Sequence, residues 1–257
     1  MKYIVVTDLD GTLLDHQTYQ FTAALDGIQE LKQRGIPLIL NSSKTQAEII
    51  EIRAQLNNQE PFVCENGGIL CGMANIQYLA TPRSQFLQDL AVIKAKLNLK
   101  YQGFAEVTVD EVMHWTGLSA SDAENAMKRD ATEPLLWQDT ELALNNFRQE
   151  LAQIQLQCVK GGRFHHVMGF FNKATCFSQL KEYYAQVWQE EISIIALGDS
   201  PNDLPMLEQA DYAVVIPNSN GNKLHLNQAA TYFASKLAPD GWQEGISFVL
   251  EHVIKEP

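Results

Sequence analysis

The sequence predicts an α/β protein: a parallel sheet flanked by helices, with a second α/β segment inserted into it. Three observations carry that expectation. Short β-branched runs alternate with helical patterns at the amino-terminal end, the same alternation returns near the carboxyl end, and the stretch between them has a different texture.

Residues 3–7 (Tyr-Ile-Val-Val-Thr), bounded by Asp and Gly, read as a buried strand. Residues 22–34 read as a helix, with Leu25, Ile28 and Leu31 on one face and Gly35 as its stop. A second strand follows at 36–40, a second helix at 45–56 and a third strand at 62–64. Strands joined by helical crossovers run parallel and are covered on both faces. Late in the chain the pattern predicts a helix over 173–188, a strand over 192–197, a helix over 202–209 and a strand over 212–215. The intervening stretch carries helical patterns at 85–97, 119–130 and 140–153, and strand-like pieces at 106–109 and 163–167. The expected organisation is a core of residues 1–81 and 171–257 with an inserted domain of residues 82–170.

Composition bounds the function. With 46% hydrophobic and 19% charged residues among 257, the chain is globular rather than disordered. No apolar run approaches the ~20 residues that cross a bilayer. The start of the chain turns acidic at Asp8, unlike a signal peptide. Four cysteines (Cys64, Cys71, Cys158, Cys176) without Cys-x-x-Cys spacing read as reduced thiols, which fits the cytoplasm. A formal net charge of −12 repels nucleic acid and anionic lipid, so neither is an expected partner.

Polar residues gather where the expected strands end. Asp8 and Asp10 follow the first strand, Asn41-Ser42-Ser43-Lys44 the second, Glu65-Asn66 the third, and Gly198-Asp199-Ser200 the strand over 192–197. In an open parallel sheet that edge is the ligand-binding crevice. Asp8-Leu9-Asp10-Gly11-Thr12 puts two carboxylates at i and i+2 on an extended segment, facing one side. Such oxygens suit a hard cation such as Mg²⁺, which offsets the repulsion between carboxylate and phosphate. One carboxylate can then attack phosphorus, and the other can move the proton; a capping Asp with an Asp-Gly turn is the plainer alternative. Asp199, at a strand end, is placed to close the metal shell. For Asp203, helix capping and metal work are both open. Ser42, Ser43 and Lys44 enter a helix where hydroxyls and free amides make a phosphate nest, with simple capping as the alternative. Lys173 supplies a local cation at the expected helix start, against the helix dipole.

In this order, Asp-x-Asp-Gly-Thr, a Ser after the second strand, a Lys and Gly-Asp-x-x-Asn-Asp resemble the haloacid-dehalogenase superfamily. The resemblance implies a Rossmann-like core with an inserted α/β cap and a Mg²⁺-dependent phosphoric monoester hydrolase. It further implies Asp8 as nucleophile, Asp10 as general acid/base, Ser42 or Ser43 as phosphate ligand, and Lys173 as the group steadying phosphate and nucleophile. Asp8, Asp10 and Asp199 are its implied metal ligands. Asn41–Thr45, Glu65-Asn66-Gly67-Gly68, Trp115-Thr116-Gly117-Leu118, Arg129-Asp130-Ala131-Thr132-Glu133-Pro134 and Gly161-Gly162-Arg163-Phe164-His165-His166 are similar to the mannosyl-3-phosphoglycerate phosphatase family. That implies a glycosyl-3-phosphoglycerate, a small phosphorylated sugar-glycerate, as substrate, and a place in making a glycosylglycerate compatible solute. Phe170-Phe171-Asn172 before Lys173 departs from the more polar stretch of those relatives.

A substrate with a carboxylate calls for cations in the inserted segment. Arg163 and Arg129 are the candidates, with His165 and His166 nearby on a strand. Adjacent strand residues face opposite sides, so one of the two histidines at most meets the substrate. Glu65 and Glu133 are open between sugar contacts and structural hydrogen bonds. A sugar phosphatase of broad range, a phosphomutase on the same scaffold and a non-catalytic binding protein are the competing readings.

Overall fold

A computed structural model describes residues 1–218 and 224–254. In chain order its main elements begin with β1 (Lys2–Thr7), α1 (Leu25–Gln33), β2 (Leu38–Asn41), α2 (Gln46–Gln55), β3 (Phe62–Cys64), β4 (Ile69–Cys71) and β5 (Gln77–Tyr78). There follow α3 (Arg83–Leu97), β6 (Tyr101–Gly103), α4 (Val109–Thr116), α5 (Ala120–Met127), β7 (Glu133–Trp137), α6 (Glu141–Gln153), β8 (Leu156–Lys160) and β9 (His165–Gly169). The chain closes with α7 (Phe177–Trp188), β10 (Ile192–Gly198), α8 (Leu204–Gln209), β11 (Tyr212–Val215), β12 (Thr231–Phe233) and α9 (Asp240–His252).

The chain divides into two compact units. The first comprises Met1–Ser42, Asn58–Val63 and Asn172–Pro257; the second comprises Ser43–Asn57 and Cys64–Phe171. The expected insertion over 82–170 lies inside the second unit, which also takes in residues 43–57 and 64–81.

The first unit is a parallel sheet in the order β12-β11-β10-β1-β2-β3. Its central strands are buried on both faces, as their unbroken apolar runs require: Ile4, Val5 and Val6 in β1 and Ile194–Leu197 in β10 have no exposed surface. Each buried Ile, Val or Leu among them contributes roughly 1.5–3 kcal/mol. Register pairs Thr7 with both Leu40 and Leu197, so β1, β2 and β10 end at one level. α7 and α8 pack on β10, and α1 packs on α9.

The second unit has an antiparallel sheet in the order β6-β7-β9-β8. α3 and α6 cover one of its faces through a cluster that includes Phe86, Leu90, Leu135, Phe147 and Val167. A smaller cluster joins Phe104, Val112, Ala123 and Ala126, with Trp115 and Phe164 packed against it. At the start of α2, Thr45 accepts from the Glu48 amide at 3.2 Å and its own amide donates to Glu48 Oε2 at 2.8 Å. This capping box holds the first turn.

Two expectations are corrected. The strand at 106–109 is a 3-10 turn (Phe104–Glu106) running into α4, because Thr108 caps that helix with Glu111. The helix over 173–188 begins at Phe177, leaving Lys173 in the turn before it.

Candidate active site

The site lies in the first unit, where β1, β2 and β10 end. Strand geometry stops at Thr7, and Asp8 anchors the exit by donating its amide to the Leu197 carbonyl at 3.0 Å. The turn that follows needs Gly11. Its φ is +84°, and a Cβ there would sit 2.8 Å from Asp199 Oδ2. Only a bare backbone tolerates both conditions.

Lys173 is the cation of this site and is 1% exposed. Its Nζ donates to Asp8 Oδ1 and, at 2.6 Å, to Asp203 Oδ1. Its own backbone is pinned from β2, since Asn41 Nδ2 donates to the Lys173 carbonyl at 2.7 Å. Asp203 is fully buried; its other oxygen accepts from the amides of Asp199 (3.1 Å) and Ser200 (3.0 Å) and from the Ser200 hydroxyl (3.1 Å). Gly198 makes that turn possible, because a Cβ there would meet Asp203 Cβ at 2.5 Å. Asp199 is held from two more sides. Its Oδ1 accepts from Thr12 Oγ1 at 3.1 Å, and its carbonyl accepts from Asn218 Nδ2 at 3.0 Å.

Asp8, Asp199 and Asp203 each place one carboxylate oxygen within 4.8 Å of the others'. Burial pushes the Asp8 carboxyl well above the usual range, and Asp203 adds to this; Lys173 opposes the rise without cancelling it. Asp199 is raised by the same causes in the same order, burial and then Asp203. Lys173 is raised by its two carboxylates, although burial pulls the other way. Three buried carboxylates against one ammonium leave the cluster short of positive charge. A divalent cation with a preference for hard oxygen donors fits that shortage.

The structure thus brings together Asp8, Lys173 and Asp199 as the sequence suggested, and adds Asp203, for which capping and metal work were both open. It caps the Ser200 turn with one oxygen and grips Lys173 with the other. Asp10 follows Asp8 by two residues but is not part of the three-carboxylate group. Ser42 is 1% exposed and follows β2 directly. Sequence reasoning missed Asn41 as the group holding Lys173 and Thr12 as the partner of Asp199. Their signal was position alone, at the end of a strand and inside the Asp-x-Asp-Gly-Thr turn.

Ser43 and Lys44 belong to the second unit. There Lys44 Nζ lies 4.0 Å from Glu48, and the Ser43 carbonyl accepts from Arg129 Nη1 at 3.2 Å. Glu65, expected beside the other strand-end groups, is used inside this unit. Its carboxylate accepts from the amides of Asp130, Ala131 and Thr132 and from the Thr132 hydroxyl. Glu133 pairs with Arg83 and accepts from the Ala105 amide at 2.8 Å. Both glutamates therefore make structural hydrogen bonds. Arg163 donates through Nη1 to the Trp115 carbonyl, tying the β8–β9 turn to the end of α4. His165 and His166 pair with Leu135 and Pro134 of β7, which puts them on opposite faces of the sheet, and both are buried. His165 Nε2 lies 3.4 Å from Lys160 Nζ. Burial pushes the His166 imidazole down to about 3, with the Arg129 charge adding to the shift.

A family model described as haloacid dehalogenase-like hydrolase matches residues 5–242. A glucosyl-3-phosphoglycerate/mannosyl-3-phosphoglycerate phosphatase of Persephonella marina is 31% identical, and the alignment covers 97% of this chain and 98% of that protein. Among solved structures, a haloacid dehalogenase-like hydrolase from Bacteroides thetaiotaomicron superposes with a TM-score of 0.69 at 16% identity, covering 99% of this chain and all (100%) of that one. A Thermotoga maritima protein gives 0.67 at 18% identity, over 100% and 99% of the two chains.

Proposed function

Because this chain belongs to the haloacid dehalogenase-like hydrolase family and is a phosphoric monoester hydrolase, we propose that it cleaves a mannosyl- or glucosyl-3-phosphoglycerate to the glycosylglycerate and phosphate. The observation that carries the catalytic part is the buried Lys173 between Asp8 and Asp203, with Asp199 beside them. The substrate rests on the Persephonella marina relative, aligned over nearly the whole chain.

Asp8 is the nucleophile. Lys173 holds one of its oxygens, which fixes the carboxylate for in-line attack on phosphorus. As the new acyl-phosphate bond forms, the ester P–O bond breaks and Asp10 gives the leaving oxygen its proton. Asp10 then takes a proton from water, which attacks phosphorus, releases phosphate and returns the Asp8 carboxylate. Ser42, directly after β2, binds the phosphoryl oxygens. Asp8, Asp199 and Asp203 would hold Mg²⁺, which would supply positive charge to the phosphoryl group. The stretch 82–170 of the second unit selects the substrate, with Arg129, Arg163 and the two histidines as its candidate contacts. Among the described residues no helix is long and apolar enough to cross a membrane.

A phosphate-release screen of glycosyl-3-phosphoglycerates against hexose phosphates tests this. Preference for the phosphoglycerates by at least tenfold in kcat/KM is expected. Equal use of all of them makes this a sugar phosphatase of broad range, and isomer formation without phosphate release makes it a mutase.

A further inference from the structure

The second unit contains a cavity of ≈ 320 Å³ into which two arginines, Arg83 and Arg129, project from different segments. Each guanidinium is already anchored by part of its fork. Arg83 uses Nε and Nη2 on Glu133, which the Ala105 amide holds in turn. Arg129 uses Nε on the Ala126 carbonyl (3.0 Å) and Nη1 on Thr132 Oγ1 (2.9 Å) and the Ser43 carbonyl (3.2 Å). Among the described residues, Arg83 Nη1 and Arg129 Nη2 have no hydrogen-bond partner. The two segments are tied together where the Arg83 amide donates to the Asp130 carbonyl at 2.6 Å. The result is a rigid pair of partly used cations on one cavity, within a chain whose net charge is −12.

We propose that this cavity is a binding site for a small hydroxylated monocarboxylate. A guanidinium edge matches the planar, two-oxygen shape of a carboxylate. Asp130 on the same wall disfavours a dianion such as a phosphate monoester. Ser84, in the first turn of α3, and Tyr78 offer hydroxyls for a polyhydroxy chain, while Leu87 and Pro82 contact its carbons. The volume is at the small end of ligand sites, which fits a ligand of up to hexose size. The inference does not depend on which phosphate ester the first unit hydrolyses, so failure of the phosphoglycerate screen leaves it standing.

The test is calorimetric titration of the full chain with D-glycerate and with D-gluconate, at constant ionic strength. The wild type binds at least one of them saturably. Ser84→Asp puts a charge into the cavity without removing any hydrogen bond of the fold, and it weakens binding by about tenfold or more, the scale of one charge-assisted contact. Arg129→Gln weakens it similarly. Unchanged turnover of nitrophenyl phosphate by Ser84→Asp shows that this variant is folded. Absence of saturable binding by the wild type overturns the proposal. So does equal affinity in Ser84→Asp, or competition between the carboxylate and nitrophenyl phosphate that persists in Ser84→Asp, which places the ligand at the catalytic centre.

Discussion

Replacing Asp203 with Asn tests the arrangement of charges around Lys173. The carboxylate serves four donors: Lys173 Nζ on one oxygen, and two amides and the Ser200 hydroxyl on the other. Asparagine has one oxygen and one NH₂ in the same space. If its oxygen faces the amides, the NH₂ is pressed against a buried ammonium; if it faces Lys173, two buried N–H groups lose their acceptor. Either way a charge-assisted bond or two neutral ones are lost without water to replace them. The first orientation costs about 1.5–3 kcal/mol, and the second about the same. With Asp203 at 0% and Lys173 at 1% exposure, solvent screening does not reduce this. In a chain of this size ~2 kcal/mol lowers Tm by roughly 4–8 °C. Turnover falls as well, by about a hundredfold, because Lys173 keeps only its Asp8 anchor and shifts relative to the nucleophile. Urea unfolding and steady-state phosphate release measure both effects. Stability within ~0.5 kcal/mol of wild type, with unchanged turnover, refutes the assignment.

Asp8→Asn, which keeps the shape and removes the nucleophile, lowers kcat by several orders of magnitude in a phosphate-release assay, on the scale of covalent catalysts. Asp10→Asn hurts alkyl phosphates more than nitrophenyl phosphate, because only the alkoxide needs a proton on leaving; equal losses on both remove its acid role. Chelation abolishes activity, and added Mg²⁺ restores it and raises Tm, by an amount equivalent to ~2.7 kcal/mol at a hundred times Kd; full activity in chelator with metal content shown negligible contradicts this. His166, held down to about 3 by burial, makes stability rise with pH between its folded value and the ordinary imidazole range, since the unfolded chain binds the extra proton there. Wild type therefore loses ~2 kcal/mol relative to His166→Gln between pH 7 and pH 5 in urea unfolding, whereas a gap independent of pH shows that His166 takes up its proton equally in the folded and unfolded chain.

The core of the first unit was readable because its central strands are buried on both faces. An uninterrupted run such as Tyr3-Ile4-Val5-Val6-Thr7 followed by Asp-x-Asp-Gly needs no tertiary context, and β3 and β11 have the expected bounds. The second unit was less readable because its sheet is antiparallel and partly polar. β7 begins Glu133-Pro134, residues that argue against a strand, yet Pro134 sits in register with His166 and Glu133 is neutralised by Arg83. Residues 106–109 read as a strand because Val107 and Val109 alternate, while Thr108 and Glu111 form the capping box that decides otherwise. Glu65 shows the same limit at the level of function. It follows a strand as the reactive residues do, but its partners lie 65 to 67 positions away, and sequence position alone cannot show that they saturate it.

Charge explains why the remaining site residues take the positions they do. A chain at −12 that binds a phosphate ester must place positive charge where water cannot dilute it, and Lys173 is the one buried lysine among the described residues. A buried ammonium is costly by itself, and two carboxylates around it restore the balance. Asp199 deepens the excess of negative charge, and burial together with the Asp203 charge raises Asp8 and Asp199. Such a cluster would release protons on taking up a divalent cation. A divalent cation bound there would favour the charged form of both carboxyls, and a deprotonated Asp8 is the form suited to attack on phosphorus. Asp203 holds the turn meanwhile, because its second oxygen accepts from the Asp199 and Ser200 amides while the first faces Lys173.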